Sequence, residues 1–99
     1  MTIEEKEEEM NNKVLAKLEE NNIKITSIMS YFAKDALMQD GTKKDVIITS
    51  FTEALLLKPM SVYSDPETLQ MLYARTGPTN FVPIETFFEP LPPDYYDND

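Results

Sequence analysis

Proline is distributed very unevenly in this chain of 99 residues, which restricts what its last fifth can fold into. Five of the seven prolines lie at or after Pro78. Proline lacks a backbone N–H, so it ends helices and is excluded from inner strands. The segment Pro90-Leu91-Pro92-Pro93 favours extended polyproline II. We therefore predict a domain over residues 1–77 and an extended C-terminal arm over residues 78–99, with the boundary near Gly77-Pro78.

The distribution of charge supports the same division. The formal net charge is −9, with −4 in residues 1–20, a balance of zero in residues 21–80 and −5 in residues 81–99. A balanced centre between acidic ends is typical of a folded domain with solvated termini. Because nucleic acids and anionic membranes repel such a chain, we predict that it contacts neither of them directly.

Apolar residues recur at helical spacing in four segments, which predicts an all-α domain of three to four helices. Residues 3–20 place Met10, Val14 and Leu18 on one stripe. Residues 26–39 and 43–57 carry similar stripes, and a further helix is predicted from the capping signal Ser64-Asp65-Pro66-Glu67. The residues that these stripes assign to the core are Ile28, Phe32, Phe51, Leu55, Leu69 and Leu72.

A small α+β fold is the alternative interpretation. Residues 23–26 alternate between apolar and polar side chains, and residues 81–84 are aromatic and β-branched. In this alternative the two segments pair as one short two-stranded ribbon, and Pro83 confines the second of them to an edge.

Several residue types are missing, and this excludes several kinds of chemistry. The chain has neither cysteine nor histidine. Their absence removes disulfides, thiolate and imidazole zinc sites, cysteine nucleophiles and histidine acid–base catalysis. Two glycines are too few for a phosphate-binding loop, and residues 40–45 and 94–99 lack the pattern of a calcium loop. We predict that the protein is not an enzyme, takes no cofactor and holds no metal.

The beginning of the chain bears on its location. It reads Met-Thr-Ile-Glu-Glu-Lys, whereas a signal peptide needs a basic and then an apolar opening. No apolar run approaches the roughly 20 residues of a membrane-spanning helix. We expect a cytoplasmic or virion-associated protein that is not secreted by a signal peptide.

The arm is unusually rich in aromatic residues for a tail. It holds five of the ten in the chain. Disordered tails are usually poor in them, because aromatic side chains gain most from burial. We expect the arm to be covered, either by its own domain or by another molecule, and the sequence leaves both open. The predicted partner contacts are Phe87, Phe88, Tyr95, Tyr96, Pro92 and Pro93, and the last two open a Pro-Pro-x-Tyr motif of the kind that WW domains bind.

These features favour a protein–protein interaction or assembly protein, by analogy a small viral or phage structural or accessory protein. It would use the arm to contact a protein partner or a second copy of itself. One alternative is an acidic inhibitor that imitates DNA through the glutamates between Glu4 and Glu9. Another is a regulator that binds one protein through a groove lined by adaptable methionines, namely Met29, Met38, Met60 and Met71.

Overall fold

A computed structural model describes residues 1–97 and shows an antiparallel sheet of five strands with one long helix packed against it. Asn98 and Asp99, which belong to the predicted arm, lie outside the described residues. The strands lie side by side in chain order. Neither helix in residues 1–97 is long and apolar enough to cross a membrane. The elements are α1 (Ile3–Glu20), β1 (Ile25–Leu37), β2 (Lys43–Glu53), β3 (Pro59–Ser64), β4 (Met71–Arg75), β5 (Phe81–Val82) and α2 (Ile84–Phe87).

The predicted first helix is confirmed as α1. Its glutamates, lysines, leucines and alanine all favour the helical state. Thr2 begins it with a capping box, in which the Thr2 hydroxyl accepts from the Glu5 amide and the Glu5 carboxylate accepts from the Thr2 amide. Met10, Val14 and Leu18 are completely buried between the helix and the sheet.

The prediction of an all-α bundle, and with it a helical domain over residues 1–77, is wrong. Residues 26–39 lie mainly in β1, and residues 43–57 form β2 and the turn after it. A spacing of four residues fits a helix and also the two-residue period of a strand, so Ile28 and Phe32 share a face in either structure. The type of side chain distinguishes the two structures. Residues 46–49 are all β-branched and all buried, as in an inner strand.

The capping signal at residues 64–67 produces only one turn of helix-like structure. The Asp65 carboxylate accepts hydrogen bonds from the Glu67 and Thr68 amides, as it would at the start of a helix. Leu69 then takes a left-handed φ of 59°, and the chain returns as β4 to pair with β3. Tertiary pairing therefore overrides the local helix signal.

The α+β alternative is nearer to the structure, but its two-stranded ribbon is wrong. Residues 81–82 form β5 and pair with β4, whereas Ile25 opens β1 and pairs with β2. The division near Gly77-Pro78 stays a prediction, and β5, which lies beyond it, pairs with a strand that lies before it.

The main core lies between α1 and one face of the sheet. Phe51 is buried there as predicted, and three more predicted core residues pack against the core while half-buried: Ile28, Phe32 and Leu69. The assignment of Leu55 and Leu72 to the core is wrong. Leu55 is 39% exposed in the turn after β2, and Leu72 is 37% exposed at a shift of register between β3 and β4.

Candidate functional site

Residues 83–97, here called the tail, lie against the end of the sheet where β2 turns into β3. The Phe87 ring packs against the ring of Phe51, with 6.0 Å between the centroids. The Leu91 amide donates to the Asn21 carbonyl at 3.0 Å, and the Asn22 side chain donates to the Pro92 carbonyl at 2.8 Å. The tail is therefore fixed to its own domain by both apolar packing and hydrogen bonds.

The Glu53 carboxylate, at the end of β2, joins the tail to the turn that follows the strand. Glu53 is only 5% exposed. Its carboxylate accepts hydrogen bonds from the Leu55 amide at 2.9 Å, the Leu56 amide at 2.7 Å and the Tyr96 hydroxyl at 2.7 Å. One buried side chain thus holds two segments that lie more than 40 residues apart in the chain.

The protonation states of Glu53 and Tyr96 favour a hydrogen bond between their side chains. Burial acts to raise the pKa of Glu53, but the hydrogen bonds from Leu56, Leu55 and Tyr96 outweigh it and leave that pKa lowered. Burial, assisted by the hydrogen bond to Glu53, raises the pKa of Tyr96 to about 12. At neutral pH Glu53 is therefore an ionised acceptor and Tyr96 a neutral donor, which makes a charge-assisted hydrogen bond.

We expect acid to weaken this contact. Because the pKa of Glu53 is lower in the folded protein than in the unfolded chain, its carboxylate stabilises the fold above the unfolded pKa. That contribution is lost as the pH falls through the folded pKa. Urea unfolding should show the difference in stability between the wild type and Glu53→Gln narrowing as the pH falls below the ordinary glutamate pKa of 4.5. A difference that stays constant over this fall in pH would contradict the assignment.

The segment from Ala54 to Lys58, here called the leucine turn, presents three consecutive apolar side chains to solvent. Leu55, Leu56 and Leu57 are 39%, 69% and 64% exposed. Their backbone is fixed, since the Glu53 amide donates to the Lys58 carbonyl and the Glu53 carboxylate binds two amides of the turn. Leu57 has a φ of 55°, which is uncommon for any residue other than glycine.

A groove of about 200 Å³ separates the leucine turn from the tail. Most of its wall is apolar, and three side chains that carry charge at neutral pH, Glu53, Lys58 and Glu89, also line it. The apolar wall consists of Ile23, Leu56, Met60, Phe87, Leu91 and Tyr95. The turn, the tail and the strand end therefore form one continuous surface, which we call the turn–tail surface.

The structure places the four aromatic residues among the predicted partner contacts in two kinds of position. Phe87 and Tyr95 are half-buried and line the groove. Phe88 is 6% exposed in the core, and Tyr96 holds Glu53. Phe88 can therefore contact a partner only when the tail has left the domain.

Pro92 and Pro93 are exposed, but their motif is not extended. The Tyr95 amide donates to the Pro92 carbonyl at 3.0 Å, which closes a turn. WW domains bind a polyproline II conformation, so their binding also requires the tail to open.

Sequence reasoning missed the leucine turn, which supplies the most exposed part of the surface. A signal was present, because three consecutive leucines cannot all lie on one stripe of a surface helix, and Lys58-Pro59 then ends the segment. The methionines predicted to line a groove between helices are not brought together on this surface. Met60 lines the groove, whereas Met29 lies on the opposite face of the sheet and is 59% exposed.

The remaining predicted features lie elsewhere on the molecule. Of the glutamates at the start, Glu5 completes the cap of α1, and the Glu7 carboxylate accepts the Phe32 amide of the edge strand β1 at 2.7 Å. Within residues 1–97 no three acidic side chains are grouped so that they could hold a metal ion. Comparison with protein-family models, curated proteins and solved structures finds no match for this chain.

Proposed function

We propose that this protein is a non-enzymatic protein–protein interaction module that binds a segment of a protein partner at the turn–tail surface. The observation that supports the proposal is the row of three exposed leucines on a fixed backbone. Covering apolar surface contributes roughly 25 cal/mol per Å². Contiguous apolar patches rimmed by polar groups are typical of interaction sites.

The conformation of Leu57 supports the same proposal. A left-handed φ costs a leucine roughly 1–2 kcal/mol, and glycine would adopt it freely. Nothing in its own domain covers most of this side chain, which is 64% exposed. Strained residues are concentrated at binding and catalytic sites, and Leu57 differs from the half-buried Leu69, which has a similar φ, in being left exposed.

The groove defines the chemistry of the segment that it accepts. A cavity of about 150 Å³ with apolar walls is large enough for benzene, so a groove of about 200 Å³ has room for a branched aliphatic side chain. Acids outnumber bases around the groove, because Glu53 and Glu89 line it against the single base Lys58, and residues 81–97 carry four acids and no base. The preferred segment is therefore an apolar side chain followed closely by a lysine or arginine.

In this proposal the tail serves as one wall of the site. Phe87 and Tyr95 keep their role as partner contacts, because both line the groove. Phe88 and Tyr96 act instead by holding the tail in place. This divides the four aromatic residues of the tail into two that contact the partner and two that position them.

Site-specific photo-crosslinking tests the proposal. A benzophenone amino acid replaces Leu57 in one variant and Leu37 in another, in cells that make the protein. Leu37 is a matched control, since it is 66% exposed and lies at the opposite end of the sheet. We expect protein adducts at position 57 and few at position 37. Equal yields at the two positions, or none at position 57, would contradict the proposed surface.

A further inference from the structure

Building on the proposed function, we infer that the segment bound in the groove is the leucine turn of a second copy of this chain. The turn has the chemistry that the groove selects, since exposed Leu57 is followed at once by exposed Lys58. The turn carries a charge of +1 in a chain of net charge −9. The groove offers apolar walls and the exposed carboxylate of Glu89 on the tail side, while its own Lys58 lines the side formed by the turn.

The positions of the turn and the groove favour a closed dimer. Leu56 belongs to the turn and also lines the groove, so the inserting segment and the receiving site form one patch. A patch that contains both elements can pair with itself about a twofold axis, since an isologous interface uses the same patch on both copies. Each copy then places its turn in the groove of the other, and both grooves are filled. No site is left for a third copy, which excludes growth into a filament through this surface.

Charge is the second reason to choose a copy of this chain as the occupant. In the twofold arrangement Lys58 of each copy approaches Glu89 of the other, which gives two attractive pairs at the rim. Repulsion between two chains of net charge −9 is screened beyond roughly 8 Å at physiological salt. The charges at the contact therefore matter more than the overall charge.

Sedimentation velocity of the purified full chain over a range of concentrations tests this inference. We expect a reversible monomer–dimer equilibrium without larger species. Leu57→Asp should raise the dissociation constant of the dimer by about tenfold or more, since it places a charge in the buried centre of the contact. Leu37→Asp, the matched control, should change it by less than about twofold. Circular dichroism confirms that each variant is folded.

A charge exchange makes the test specific for this arrangement. Lys58→Glu and Glu89→Lys should each weaken the dimer by roughly fivefold, and the double variant should restore it, because the pair is then re-formed with reversed signs. A protein that stays monomeric at every concentration, or a double variant weaker than both single ones, would overturn the inference. A monomer that still forms adducts at position 57 with a different protein would overturn the dimer and leave the proposed function standing. If the protein neither dimerises nor forms adducts at position 57, both the dimer and the proposed function are contradicted.

Discussion

Replacing Phe88 with alanine should lower the free energy of unfolding by about 3–5 kcal/mol. The side chain is only 6% exposed and belongs to the core cluster that includes Met10, Val14 and Leu18. Its removal therefore leaves a cavity and loses the packing that holds the tail. For a domain with about 5–15 kcal/mol of total stability, this is a large share.

Urea unfolding followed by circular dichroism measures this loss, and Phe87→Ala is the matched control. Phe87 is the adjacent phenylalanine, but it is half-buried and lines the groove. We expect it to cost about 1–2 kcal/mol and to weaken binding at the turn–tail surface. If Phe88→Ala were as stable as the wild type and lost only partner binding, Phe88 would be a partner contact and its position in the core would be contradicted.

Replacing Glu53 with alanine should cost about 3 kcal/mol, the second-largest expected effect. The substitution removes the acceptor of three hydrogen bonds, two from the leucine turn and one from Tyr96. It also leaves the Tyr96 hydroxyl with only its weaker contacts to the Lys24 backbone. The turn and the tail should both loosen, so amide hydrogen exchange should accelerate at Leu56 and at Leu91.

A double-mutant cycle with Tyr96→Phe tests whether Glu53 acts through the tail. The two substitutions should be coupled by about 1–2 kcal/mol, because each removes the same hydrogen bond. Tyr95→Phe provides the control, since the Glu53 carboxylate bonds to Tyr96 instead. Additive effects of Glu53→Ala and Tyr96→Phe would show that the contact contributes nothing to holding the tail.

The helix α1 could be predicted from the sequence, whereas the strands could not. In α1 the spacing of Met10, Val14 and Leu18 agrees with strong helix formers at most other positions. In β1 and β2 the same spacing of four residues also satisfies a strand, and only β-branched content pointed to the sheet. The prediction gave too much weight to the spacing of the apolar residues and too little to the β-branched shape of their side chains.

The covering of the aromatic tail could be anticipated, but not the surface that covers it. Richness in aromatic residues indicates burial without naming a partner. The groups that fix the tail lie far away in the sequence, since Asn22 is 70 positions from Pro92 and Glu53 is 43 positions from Tyr96. No local pattern carries that information, because it arises only when the sheet brings the segments together.

The most direct test of the account is a nuclear Overhauser experiment at a concentration at which the protein is monomeric. The Lys24 ammonium lies 5.4 Å from the centre of the Tyr96 ring, and the Lys24 amide donates to the Tyr96 hydroxyl at 3.0 Å. A tail fixed to its own domain predicts cross-peaks between the Tyr96 ring and Lys24, together with slow exchange of the Leu91 amide. Random-coil shifts for residues 88–97 and no cross-peaks from them to the sheet would contradict it.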